Sequence, residues 1–356
     1  MTRLLVRAAV AAVLAFTAAS AATPVAAGAL EGEPLWAAYK ARYMKASGRV
    51  VDNMNGNVSH SEGQGFAMVL AVAAKDASAF EKLWTFTRER LQVRRDRLLA
   101  WRWTPRGLSR VPDRNNAADG DLLVAWALLE AAEKGFGTHY ADEGRAILAD
   151  LRRLTRRDRT FGIIMKPAAV GFSASDRRGR EVVNLSYWVM PALERLTVLT
   201  GDRRWRTLAE NGPRLIEIAS RNRARLPGDW SALDRRKGRI LPAPGFDKRF
   251  AYNAIRVPLY LAWSGGEHGT QLAAMRTAWA KASKGRAPAM VSLTSGRAKG
   301  RFTQPGYRAV SALLDCAVES TRFPRALRRR VDRQYYAASL QLLSVLAVKE
   351  RHPSCW

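Results

Sequence analysis

Ser59-His60-Ser61-Glu62-Gly63-Gln64-Gly65-Phe66-Ala67-Met68 joins a polar segment to a long apolar one. Before it stands a loop with Asn53, Asn55, Gly56 and Asn57. After it, residues 65–75 are apolar at helical spacing. The stretch therefore opens a helix and puts one carboxylate, Glu62, among small residues at its mouth. Ser59-x-x-Glu62 has the spacing of a capping box, in which serine and glutamate satisfy orphan N–H groups. Two glycines flank Gln64, so the backbone there can be approached closely from outside. A carboxylate so placed can cap its helix or protonate a ligand, and the segment alone does not choose.

Working outward, the helical pattern recurs in pairs. Residues 34–44 carry Trp36, Tyr39 and Tyr43 at helical spacing. Segments 65–75 and 79–91 follow, then 119–135 and 141–153, 185–199 and 205–221, 252–263 and 270–281, and finally 305–317 and 325–348. Strand patterns are confined to 161–166 and 289–293. About a dozen helices in antiparallel pairs, joined alternately by short and long connections, read as an all-α fold. Long loops emerging on one side of such an array build a concave face. The pairs do not align as sequence repeats, which disfavours a solenoid, and no linker-like stretch divides the chain. A single all-α domain is expected over 28–356.

Residues 1–27 read as a secretory signal peptide. Arg3 and Arg7 lead into an Ala-rich apolar run, with Ala19-Ser20-Ala21 and Val25-Ala26-Ala27 as candidate cleavage sites. The run is too short and too Ala-rich for a membrane span, so a secreted or periplasmic protein without stable membrane insertion is expected. At 356 residues and 47% hydrophobic, the chain can fill a sizeable core. Of its two cysteines, Cys316 and Cys355, export permits a disulfide; the alternative is two unpaired small residues. The formal charge is +28, from 59 Lys+Arg against 31 Asp+Glu. The basic residues are scattered in doublets such as Arg94-Arg95 and Arg203-Arg204, with no zinc-finger, helix-turn-helix or RNA-binding pattern beside them. They read as solvated helix faces and not as a nucleic-acid surface. Such a charge also argues against a polycationic substrate.

The chemistry sits in the loops. Trp101 and Trp103 flank Arg102. Asn115-Asn116-Ala117-Ala118-Asp119-Gly120-Asp121, Asn184-Leu185-Ser186-Tyr187-Trp188 and Phe250-Ala251-Tyr252-Asn253-Ala254-Ile255-Arg256-Val257-Pro258 each open a helix, and Gly228-Asp229-Trp230 lies in a loop. Aromatic faces beside amides and carboxylates suit a sugar chain, whose rings present apolar C–H faces while its hydroxyls need donors and acceptors. Carboxylate pairs suit glycosidic cleavage, one acid protonating the leaving oxygen and one base activating water. The four histidines have no metal-ligand spacing. There is no GxSxG elbow, P-loop or dinucleotide fingerprint. No metal or cofactor is expected. Asp119 and Asp121 can also be read as favouring a helix N-terminus through its dipole.

Ser61-Glu62-Gly63-Gln64-Gly65-Phe66-Ala67-Met68, Ala117-Ala118-Asp119-Gly120-Asp121, Asn184-Leu185-Ser186-Tyr187-Trp188 and Ile255-Arg256-Val257-Pro258 resemble, in order, the motifs of glycoside hydrolase family 8. The likeness runs from about Trp36 to about Leu346 and leans to the cellulase branch found with bacterial cellulose synthesis. It implies an (α/α)6 barrel with a cleft at one end and a cofactor-free enzyme that hydrolyses β-1,4-glucan with inversion. It also implies a link to the cellulose synthase machinery. Glu62 matches the family's general acid, and Asp119 a carboxylate close to the point of cleavage. Trp103, Tyr187 and Arg256 match positions that hold the sugar chain. A monomer is expected.

Two positions depart from the family pattern. Ala118 replaces a Ser or Thr, a small change. Asn253 stands where the cellulase-type members carry the aspartate that activates water, and an amide cannot accept that proton at neutral pH. The base is then Asp119 or a loop carboxylate such as Asp229 or Asp247. The alternatives are a glucan-binding factor of low activity, with Asn253 in a binding role, or an enzyme for another β-1,4-glycan: xylan, mixed-linkage glucan or chitosan.

Overall fold

The computed structural model describes residues 28–177 and 179–356; the signal peptide read at 1–27 lies outside the described residues. Twelve α-helices are found among them: α1 (Pro34–Tyr43), α2 (Ser61–Ala73), α3 (Ala77–Arg90), α4 (Ala118–Glu133), α5 (His139–Leu151), α6 (Met190–Thr200), α7 (Arg203–Ala219), α8 (Arg256–Trp263), α9 (Gly269–Ser283), α10 (Pro305–Glu319), α11 (Ala326–Arg329) and α12 (Tyr335–Arg351).

Of the even-numbered helices, α2, α4, α8 and α12 are buried nearly all round, whereas α6 exposes Val198 and α10 exposes Arg308 and Glu319. Every residue of α4 from Ala118 to Ala131 is buried, as is every residue of α8. A helix with no polar stripe must be surrounded, and the six even-numbered helices pack round one another in a ring. α2 packs on α4, α4 on α6, α6 on α8, α8 on α10 and α10 on α12, and α12 returns to α2. The odd-numbered helices cover the ring, α3 on α2, α5 on α4 and α7 on α6, with α9 against α8 and α10 and α1 against α12. α5 and α7 bury only one stripe each, around Ile147 and Leu148 or Leu215 and Ile216, as outer helices should. The result is an (α/α)6 barrel. One buried ion pair ties neighbours in the inner ring: Arg195 of α6 donates to Glu130 of α4 at 2.6 Å, and Trp126 donates to the same carboxylate at 3.2 Å.

Short strands decorate the loops: β1 (Ser59–His60), β2 (Arg102–Trp103), β3 (Thr155–Asp158), β4 (Gly162–Met165), β5 (Val182–Val183), β6 (Ser231–Asp234), β7 (Arg239–Pro242), β8 (Arg249–Phe250), β9 (Ala289–Ser292) and β10 (Ala298–Arg301). They pair antiparallel as β1–β2, β3–β4, β5–β6–β7 and β8–β9–β10. The two expected strand segments are β4 and β9. The others span only two to four residues, too short for an alternating pattern to be read.

Three expectations are corrected. Ser59 does not cap α2, because it lies in β1 opposite Trp103; His60 takes the N-cap position without a side-chain cap. The helix expected over 252–263 begins at Arg256, since residues 251–254 are held as a turn. The helix expected over 325–348 is broken into α11 and α12. Asp332 lies in the break and accepts hydrogen bonds from the backbone N–H groups of Gly306 (2.7 Å) and Gln334 (3.0 Å), contacts a continuous helix would forgo. Cys316 of α10 and Cys355 form a disulfide, with Cα atoms 5.9 Å apart. No helix among the described residues is long and apolar enough to cross a membrane.

Candidate active site

The inner helices bring their N-termini to one end of the ring. Glu62 stands in the first turn of α2, Asp119 in that of α4, and Arg256 opens α8. Tyr307 lies in the first turn of α10, and Tyr335 and Tyr336 open α12. Tyr187 belongs to a 3₁₀ turn, Leu185–Tyr187, before α6. Together they line a cleft of about 690 Å³, with a deeper recess of about 170 Å³ beside it. Asp52, His60, Glu62, Asn253 and Tyr336 line both.

Glycines let the helices meet this closely. A Cβ on Gly120 would lie 2.2 Å from Ser61 Oγ and 2.8 Å from the Glu62 backbone nitrogen. One on Gly63 would lie 2.1 Å from the Tyr335 hydroxyl, and one on Gly65 2.6 Å from Leu123 Cβ. The close approach expected at Gly63 and Gly65 is therefore made by neighbouring helices and not by a ligand. Gln64 between them is a tie: its carbonyl accepts from Val50 N at 2.7 Å, and its amide donates to Thr87 Oγ1 at 3.0 Å.

The Arg256 guanidinium organises the centre. Its Nη1 donates to both Glu62 Oε1 and Asp119 Oδ2, the latter at 2.7 Å. Its Nη2 donates to Asn253 Oδ1 at 2.8 Å. The same group lies over the Tyr187 ring, 5.6 Å from its centroid. Arg256 and Asp119 are buried, whereas the Glu62 side chain keeps 20% of its surface open to the cleft. Burial pushes the Glu62 carboxyl up to about 8; Arg256 opposes the shift, and the charges of Asp119 and Asp52 add to it. Glu62 thus carries its proton at neutral pH, the state a general acid needs.

Asp52 is the third cleft carboxylate. Its Oδ1 accepts from Met54 N at 3.1 Å, and its Oδ2 lies 3.3 Å from His60 Nε2. His60 in turn stacks on Trp101, ring centroids 5.8 Å apart. Tyr252, Tyr307 and Tyr336 meet edge to face or tilted on the opposite arm, and Tyr252 is 47% exposed.

Of the residues singled out in the sequence, Glu62, Asp119, Tyr187, Asn253 and Arg256 converge. Trp103 does not join them. Arg49 and Arg110 cover its ring at 4.8 and 5.8 Å, and Phe86 meets it edge-on in a separate cavity. Trp101 lines the recess instead. Asp229 and Asp247 are absent from the cleft wall. Asp229 is buried and accepts from Ala251 N and Ala254 N, both at 2.8 Å, holding the turn that presents Asn253. Asp247 is exposed and paired with Arg249 at 2.6 Å. Asp121 accepts from Leu99 N and Asn116 Nδ2, both at 2.7 Å, which anchors the segment leading to Trp101; burial raises its carboxyl to about 7. Asp52, His60, Tyr335 and Tyr336 also line the cleft or its recess, and no sequence motif marks them. The polar loop around Asp52 carries no local signal, and only the ring brings α12 beside α2. Among the described residues no group of three or more His, Cys, Asp or Glu could hold a metal ion.

The model of glycosyl hydrolases family 8 matches residues 4–350. A probable endoglucanase of Novacetimonas hansenii is 39% identical over 317 residues, 88% of this chain and 90% of that protein. Among solved structures, an endo-β-1,4-glucanase from Acetobacter xylinum is similar at a TM-score of 0.80 and 38% identity, covering 92% of this chain and 99% of that one. An endoglucanase of Klebsiella pneumoniae is similar at 0.78 and 34%, covering 89% and 99%.

Proposed function

This chain belongs to glycosyl hydrolase family 8, and from that footing we propose that it cleaves internal β-1,4 bonds of a cellulose-type glucan with inversion. The observation that carries the proposal is Glu62, a carboxyl whose burial favours its protonated form, on the wall of an aromatic-lined cleft beside Arg256 and Asp119. Glu62 gives its proton to the leaving glycosidic oxygen as that C–O bond breaks. A water oxygen bonds to the anomeric carbon from the opposite face. Tyr187, Tyr336 and the aromatic arm hold the sugar rings. The resemblance of the motifs to the branch linked with cellulose synthesis supports trimming of glucan outside the cytoplasm as the setting.

The water's second proton needs an acceptor. Asn253 can orient the water through its amide but cannot take that proton. Asp119 shares one Arg256 nitrogen with Glu62, so the two carboxyl groups stand within roughly two hydrogen-bond lengths, about 5.5 Å. That is closer than the about 6.5–9.5 Å an inverting pair requires. We therefore assign Asp119 to orienting the sugar, and Asp52, backed by His60, to accepting the proton. Asn253 also motivates a second reading, a glucan-binding protein of low turnover. Replacing Asp52→Asn and, separately, Asn253→Asp decides between them. With hydroxyethylcellulose, Asp52→Asn should lower kcat by about 10²–10⁴. A kcat unchanged in Asp52→Asn and raised more than about tenfold in Asn253→Asp would remove Asp52 from the mechanism and favour the second reading.

A further inference from the structure

Beside the cleft runs a groove of about 1200 Å³ whose charged lining is entirely cationic. Arg223 and Arg225 come from the loop after α7, Lys281, Lys284 and Arg286 from the end of α9, and Arg297 and Arg301 from the β9–β10 hairpin. None of these seven is ion-paired among the described residues. Elsewhere on the surface arginines meet carboxylates, as Arg276 meets Asp315 and Glu319 at 2.6 Å each. Like charges drawn together without counter-charges repel, and that cost is offset when an anion binds.

Arg301 connects the two sites. It lines both the groove and the cleft, where Thr303, Gln304 and Tyr307 stand beside it. Its Nη1 donates to the carbonyls of Ser283 (3.0 Å) and Ala287 (2.8 Å), which pins the guanidinium at the junction. A chain that leaves Glu62 past Tyr307 therefore reaches Arg301, the residue the cleft shares with the cationic groove.

On the reading of the cleft as a glycosidase site, we propose that the glycan chain carries acidic groups and that this groove binds them. An unsubstituted glucan offers cations nothing that water does not. A carboxylated one offers planar acceptors that arginine meets with paired hydrogen bonds. Continuity with the cleft favours a carboxylated β-1,4-glycan over a nucleic acid.

The test uses the full chain and a variant combining Arg223→Gln, Lys281→Gln, Arg286→Gln and Arg297→Gln, all exposed positions. The ratio of kcat/KM on carboxymethylcellulose to that on hydroxyethylcellulose should fall roughly tenfold, four exposed cations each contributing a factor of about two. In the unsubstituted chain that ratio should also fall as salt is raised. A ratio that the variant leaves unchanged overturns the proposal. So does double-stranded DNA binding that is tighter than carboxymethylcellulose binding and lost in the same variant. If the enzyme hydrolyses neither polymer, the glucanase reading fails. Retardation of the unsubstituted chain but not the variant in native gels containing carboxymethylcellulose, with none in hydroxyethylcellulose, still upholds the groove.

Discussion

Glu62 illustrates how one residue serves two physical demands. As the proposed acid, its carboxyl must be buried enough to keep a proton, yet open enough to reach a glycosidic oxygen. The folded protein holds that proton up to a pH of about 8, against an ordinary value near 4.5. The stability this contributes is full below 4.5 and is lost as pH rises through about 8. In the proposed mechanism catalysis follows the same sign, because the acid works only while protonated. The alkaline limb of kcat/KM on hydroxyethylcellulose should therefore have its midpoint near 8. A fall centred near pH 5 would mean that Glu62 is ionised when the enzyme works. Glu62, Asp119 and Arg256 were legible as residues because each sits in a compact motif at a helix start. Asp52, the proposed proton acceptor, was not, since the Asp52–Val58 bridge that sets it beside His60 closes a polar loop with no motif of its own. Trp103 lies apart from the Glu62 cleft for a reason the motif does not carry. Two tryptophans two residues apart look equivalent in sequence, and only the packing of Phe86, Arg49 and Arg110 separates them.

At the scale of elements, the helices were readable because burial on a helix imposes a period, and α4 and α8 by their unbroken apolar runs. Apart from β4 and β9, the short strands and the α11–α12 break were not, because strand pairing and the hydrogen bonds of Asp332 join residues far apart in sequence. The contact between α2 and α4 depends on Gly120. Gly120→Ala places a methyl group against Ser61 Oγ and against the Glu62 backbone, and backbone cannot rotate away as a side chain can. Overpacking of this kind costs about 1–3 kcal/mol. Urea denaturation should show that loss, together with a fall in activity, because the displaced atoms belong to the turn carrying Glu62. An Ala variant as stable and active as the parent would mean that the two helices have slack between them.

The whole molecule is a ring of six buried helices whose starts share one end, so residues scattered from Asp52 to Tyr336 meet in one cleft. Closing the ring requires α12 to return to α2, and the disulfide between Cys316 and Cys355 fastens the chain just beyond α12 to α10. Its 39-residue separation corresponds to about 4 kcal/mol of loop-closure entropy removed from the unfolded chain. Reduction under otherwise native conditions should lower the denaturant midpoint by an equivalent amount, and an unchanged midpoint would show that the bridge adds nothing to the ring. The proposed cleavage depends on the proton of Glu62. The most direct measurement is the release of reducing ends from hydroxyethylcellulose by Glu62→Gln, a substitution that keeps the side chain's size and removes its acid. Loss of about 10²–10⁴ in kcat with unchanged thermal stability is the expected result. Turnover within about tenfold of the parent would contradict Glu62 as the acid and, with it, the mechanism built on this cleft.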